Sequence, residues 1–246
     1  MLDPEALALA RRQSALEYGC APEDFLGKKH IVTESAFVRG ARVYHNTPAI
    51  LEMVTYGSCT VATCCRELIA PMQAFLARHA SAYSCFELDA ISELSAILAP
   101  LDRKVSLGGI YRLPAATDIR ENTCPYELRV LKPQDFAGLY LPEYGNALGL
   151  SRPQYDRICV GAYDGDTLCG LAGASEDCAE MWQIGVDVLP EYRGQGIAAA
   201  IVSRLAQEVT ALGRLPFYCS AWANVISMHT AERCGFEPAW SEVFCE

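Results

Sequence analysis

One stretch limits the fold more than any other: VDVLPEYRGQGIAAAIVSRLAQEV, Val186 to Val209. An apolar, strand-like run, MWQIGVDV (Met181–Val188), stops at Pro190. Four residues, Arg193-Gly194-Gln195-Gly196, make a turn. Behind them Ile197, Ile201, Leu205 and Val209 recur every four residues and mark one apolar face of a helix, which Gly213 and Pro216 terminate. Strand, glycine turn and long helix in succession require a layered fold of sheet and helices. Because the strand has few charges, it belongs in the middle of a sheet, covered on both faces.

The rest of the C-terminal half supports the same class. YELRVL (126–131) reads as a strand. RICVGAY and TLCGLAGAS flank Asp164-Gly165-Asp166 as a hairpin. FYCSAW is a strand, VISMHTAERCG a helix closing at Gly235, and PAWSEVF a last strand. The predicted class is α/β, or α+β, with a mixed sheet. In the N-terminal half, Asp3, Pro4 and Gly19 frame a first helix. EMVTYGSCTVAT reads as a strand or hairpin, and CRELIAPMQAFLARHA as a helix in which Pro71 is an expected interior break. SELSAILAPL is a short helix and VSLGGIYRL another strand. Residues 113–125 lack apolar periodicity and carry turn formers, which places a boundary there. The expected domains are 1–124, an N-terminal α/β extension, and 125–246.

Charge and cysteine content exclude several functions. The formal net charge is −10, and most of the acidic excess lies after Pro125. Such a surface repels nucleic acid and anionic lipid and tolerates a cationic substrate such as an amine. No run approaches a membrane span, and MLDPEALALARRQ does not read as a secretory signal, so the expected compartment is the cytoplasm. There are 12 cysteines, none spaced C-x-x-C, and four scattered histidines. They read as small buried hydrophobes in a reducing compartment, with no metal site expected.

The turn itself has a chemistry. The first turn of a helix presents backbone N–H groups without acceptors and partial positive charge. Glycines let a bulky anion approach, and Arg193 adds a full charge, which makes a cradle for pyrophosphate. No Gly-Lys-Ser/Thr follows, and the third glycine of a dinucleotide fingerprint is missing. PEYRGQGIA after IGVDV resembles the acetyl-CoA signature of the GCN5-related N-acetyltransferases (GNAT), carried here by Arg193, Gly196 and Ala198. Asn224 to Ser227, followed by Gly235-Phe236, resembles that family's second cofactor motif. The order of elements from Tyr126 onward matches too.

The resemblance implies a C-terminal GNAT fold, preceded by the N-terminal extension in the manner of some bacterial members. It implies acetyl-CoA or another acyl-CoA as co-substrate and a small-molecule amine as acceptor. The strand of Val186 and Val188 splays from its successor, pantetheine fills the wedge, and the amide of Val188 meets the thioester carbonyl. Pyrophosphate rests on Arg193, Gly194, Gln195, Gly196, Ile197 and Ala198, with Asn224 and Ser227 contributing from the next helix.

Two family positions differ. Where many relatives keep a tyrosine acid, this chain has Ala231; near the position of a glutamate base it has Trp182, with Glu180 beyond. The catalytic residues are therefore unassigned, with Asp187, Glu143 and Tyr144 as candidates. A strand-end aspartate is more often a cap or ion-pair partner, and surface solvation accounts for the other two equally well. His229, Cys234 and the tryptophans Trp182, Trp222 and Trp240 read as surface or core residues before ligands. The N-terminal half faintly resembles half of a related unit without the phosphate loop; covering an acceptor site and forming a homodimer surface are the roles open to it. The leading expectation is an N-acetyltransferase; the alternative is an acyl-CoA sensor without turnover.

Overall fold

The computed structural model describes residues 1–45, 47–115 and 119–245. In chain order its strands and α-helices are α1 (Pro4–Tyr18), β1 (Ile31–Glu34), β2 (Leu51–Thr55), β3 (Thr60–Cys64), α2 (Ile69–Arg78), α3 (Leu88–Leu98), β4 (Val105–Pro114), β5 (Glu127–Leu131), α4 (Pro133–Phe136), β6 (Asp156–Asp164), β7 (Thr167–Ser175), β8 (Met181–Val188), α5 (Ile197–Ala211), β9 (Leu215–Ala221), α6 (Val225–Arg233) and β10 (Phe236–Cys245). Two compact units emerge. One holds Met1–Ala6 with Arg112–Pro238, the other Leu7–Tyr111 with the chain from Ala239. Within the second of these, Ser241–Phe244 of β10 pair antiparallel with Glu52–Thr55 of β2.

In the unit of Leu7–Tyr111, β1 runs parallel to β3, and β2 and β3 form the expected hairpin. The first residues of α1 are counted with the other unit; there Asp3 Oδ1 accepts the Glu5 N–H at 2.9 Å, satisfying one orphan donor of the helix. Pro71 does not break its helix. It sits in the first turn of α2, where its missing N–H is not needed. Arg42 is fully buried, its guanidinium 2.6 Å from both Glu17 and Glu242. The rings of Tyr44, Tyr111 and Trp240 lie 5.1, 5.5 and 5.7 Å from it. Trp240 Nε1 donates to Glu242 at 2.8 Å, so that tryptophan serves this ion cluster.

The unit of Arg112–Pro238 carries the glycine turn. Its strands run in the order β5, β6, β7, β8, β9. β6 and β7 are a hairpin turning at Gly165-Asp166. β7 and β8 are antiparallel, while β8 and β9 are parallel, joined by α5 as a crossover. Ile197, Ile201, Leu205 and Val209 are buried as the spacing predicts, against Val160, Ala172, Ile184 and Phe236. Trp182 belongs to the same core. A second cluster, on the side of β6 and β7 carrying Cys159 and Leu171, holds Phe136, Tyr144, Ala147 and Leu148.

Candidate functional site: a strand wedge above a glycine turn

β8 lies between two neighbours that pair with it over different lengths. With β7 the ladder runs from Gln183 to Val188. With β9 it runs only from Met181 to Ile184, which faces Tyr218. Beyond Ile184 the two parallel strands part, and the β9 side of Gly185–Val188 is left without a ladder. Unpaired strand edges accept an extended ligand as an added strand.

The glycine turn follows. Gly194 and Gly196 have φ of +79° and +80°. Side-chain-bearing residues rarely occupy that left-handed region, so the sequence needs glycine twice. The result is a run of backbone N–H groups, Gly194 to Ala199, with no protein acceptor among the described residues; the first helical bond is Ala200 N–H to Gly196 O at 3.1 Å. Arg193 Nε donates to Val188 O at 3.1 Å, tying the guanidinium to the end of β8. Gln195 does not project freely: Tyr126 donates to its Oε1 at 2.7 Å. Asn224 caps α6 by accepting the Ser227 N–H at 3.1 Å, and the Ser227 hydroxyl meets that of Tyr218 at 2.8 Å. Burial raises the Tyr218 pKa, so this hydroxyl stays protonated at neutral pH. Val186 and Val188 turn their side chains to the α5 core.

The catalytic candidates stand elsewhere. Asp187 is on the opposite face of β8, its carboxylate accepting three hydrogen bonds: Asn146 N–H at 2.8 Å, Asn146 Nδ2 at 2.6 Å and Ala147 N–H at 2.9 Å. Tyr144 is buried and donates to Leu168 O at 2.9 Å. Glu143 is exposed. His229 is exposed beside Glu232, 3.5 Å away. Cys234 is buried, its thiol directed at Ala199 O, and burial raises its pKa. Ala231 is fully buried. Ala231→Tyr should overpack this core and lower stability by about 1–3 kcal/mol; a melting temperature equal to wild type would show spare room there.

Sequence reasoning missed a small chamber of about 110 Å³ under the segment Gly145–Gly149, lined also by Arg152, Asp156, Ser175, Gln183 and Gly185. Asp156 Oδ2 accepts Gly149 N–H at 3.0 Å and the Tyr140 hydroxyl at 3.1 Å. Burial raises its pKa, opposed by those two bonds and by Arg152 and Arg157. No motif marks the chamber, because its residues come from three separate segments. A wider hollow of about 490 Å³, at Ala99 and Asp102–Lys104, belongs to the other unit and is an open surface depression. Among the described residues, no three His, Cys, Asp or Glu come together to hold a metal ion.

The acetyltransferase (GNAT) family model matches residues 119–236, just under half the chain. This segment is a GNAT-family domain. The GNAT domain thus contains the wedge, the glycine turn and the chamber, while the unit of Leu7–Tyr111 lies outside the match. No curated protein matches the chain. Similar solved structures include a protein assigned to the GNAT family from Novosphingobium aromaticivorans (20% identity, TM-score 0.45, 58% of this chain and 66% of that one). Others are a GCN5-related N-acetyltransferase-like protein from Streptococcus suis (15%, 0.45, 63% and 68%) and a GCN5-related N-acetyltransferase from Kribbella flavida (16%, 0.47, 62% and 62%). The chain therefore spans about two thirds or less of these neighbours. Among the described residues, no helix is long and apolar enough to cross a membrane.

Proposed function

We propose that the GNAT domain transfers an acyl group from an acyl-CoA, acetyl-CoA first, to the amine of a small molecule by direct attack on the thioester. One observation carries this reading: the β8–β9 ladder stops at Ile184 and Tyr218, and a run of unclaimed amides begins where β8 has ended. A ligand with phosphates at one end and an extended amide-bearing arm fits both. The amides from Gly194 to Ala199 and Arg193 receive its pyrophosphate, and Gly185–Val188 pair with its arm. The far end of that arm then lies at the vertex of the wedge. There Gly185 opens to the chamber holding Asp156 and Gln183, the side from which an amine would approach.

In the reaction the amine nitrogen bonds to the thioester carbon, the carbon–sulfur bond breaks, and the amine gives up one proton to solvent while the sulfur leaves as thiolate. A backbone N–H of β8 polarises the carbonyl. A CoA thiol has an acidity near that of cysteine, pKa about 8.5, so the thiolate can depart without a dedicated acid. The second reading, an acyl-CoA sensor, draws support from the engagement of Asp187 and Tyr144 in structural hydrogen bonds.

Release of free thiol from acetyl-CoA with a panel of amines tests the proposal. Amine-dependent release is expected; tight acetyl-CoA binding with no release for any amine would favour the sensor. Chelators should leave the rate unchanged, and loss restored by one divalent ion would contradict the mechanism. Arg193→Gln should weaken CoA binding about tenfold and flatten its salt dependence, as for one partly exposed charge on phosphate. An unaltered salt dependence would remove Arg193 from the cradle.

A further inference from the structure

The acceptor side of the wedge has a ceiling, and the sequence spends three residues on it. Segment Asn146-Ala147 lies directly on β7 and β8. A Cβ added at Gly173 would come within 2.0 Å of Ala147 O, and one at Gly185 within 1.8 Å of Asn146 O. Only glycine lets the segment sit so low. Asp187 then holds it there from the same face of β8, through both backbone N–H groups and the Asn146 side chain. These three bonds occupy both of its carboxylate oxygens. Asp187 is also absent from the lining of the chamber beneath the segment. That chamber, about 110 Å³, is well below the roughly 300–1,000 Å³ of ordinary small-molecule pockets.

We infer that Asp187 is a positioning residue that clamps Asn146 and Ala147 over Gly173 and Gly185, and that this clamp restricts the acceptor to a small amine of a few heavy atoms. The size limit rests on the acyltransferase reading; the clamp does not. The chamber offers such an amine the polar groups of Asp156, Gln183 and Ser175 beside a first unpaired strand residue, Gly185.

Two measurements test it. The first is hydrogen exchange in the protein without ligands. The Asn146 and Ala147 amides should be protected in wild type and exchange about tenfold faster or more in Asp187→Ala, as expected for losing hydrogen bonds to a charged acceptor. Unchanged exchange there overturns the clamp whether or not the protein turns over. The second is a size series of primary amines with acetyl-CoA, for wild type, Asp187→Asn and Gly185→Ala. The last variant lifts the segment from below while keeping the carboxylate. At saturating acetyl-CoA, both variants should raise KM for the smallest amine and shift relative kcat/KM toward larger ones. Abolition of kcat in Asp187→Asn, with loss of the rising limb of the pH profile and wild-type selectivity in Gly185→Ala, would make Asp187 a base and overturn the inference. Wild type that prefers bulky amines would overturn the size limit. If no protein releases thiol with any amine, the acyltransferase reading and the size limit fall together, and the exchange result still decides the clamp.

Discussion

Gly196→Val is expected to lower CoA affinity about a hundredfold, roughly 3 kcal/mol, while the domain stays folded. Gly196 has φ +80° and is the residue whose carbonyl accepts the first helical bond of α5, from Ala200. A β-branched residue in that region is strained by about 1–3 kcal/mol, and the turn relieves it most easily by rotating the peptides on either side. Those peptides carry the Gly196 and Ile197 N–H groups, two of the proposed donors to the phosphates. The branched side chain also starts in van der Waals contact with Thr123 O, at 3.4 Å. Calorimetry reads the affinity, and circular dichroism confirms the fold. An intact variant that binds CoA like wild type would remove the turn from the site.

The second large effect concerns stability. Arg42→Ala should cost about 3–5 kcal/mol, because it leaves the carboxylates of Glu17 and Glu242 buried without their cation. Both carboxylates have fully buried side chains and sit 2.6 Å from the guanidinium. For a chain of this length such a loss corresponds to a fall in Tm of roughly 6–20 °C. Burial tends to lower the pKa of Arg42, but the two carboxylates outweigh it and raise the value, which shows how fully the charges depend on one another. Adding Glu17→Gln and Glu242→Gln to Arg42→Met should recover much of the loss, since the uncompensated charges are then gone. A single variant within about 1 kcal/mol of wild type would mean that the cluster is hydrated.

The parts of this molecule that were readable from sequence are those where local chemistry decides. The α5 stripe, the Gly165-Asp166 hairpin and the α1 cap each follow from periodicity or from one residue type at one position. The glycine turn was legible because two left-handed residues between a strand and a helix have few alternatives to glycine. Asp187 was legible as a strand-end aspartate of capping type, but its partners lie some forty residues earlier, at Asn146 and Ala147, and no local pattern announces them. Gly173 and Gly185 look like weak points in strands until the carbonyls above them are seen. The Arg42 cluster was opaque for the same reason: Glu17, Arg42 and Glu242 are each ordinary alone, and they meet only because β10 returns to pair with β2.

The central claim is that the wedge and the turn bind an acyl-CoA as one continuous site. Its most direct test is an amide NMR titration of the protein with acetyl-CoA. The account predicts saturable shifts at Gly194, Gln195, Gly196 and Ala198, together with Val186 and Val188 on β8. Absence of saturable binding, or saturation with those six amides unmoved, would contradict it.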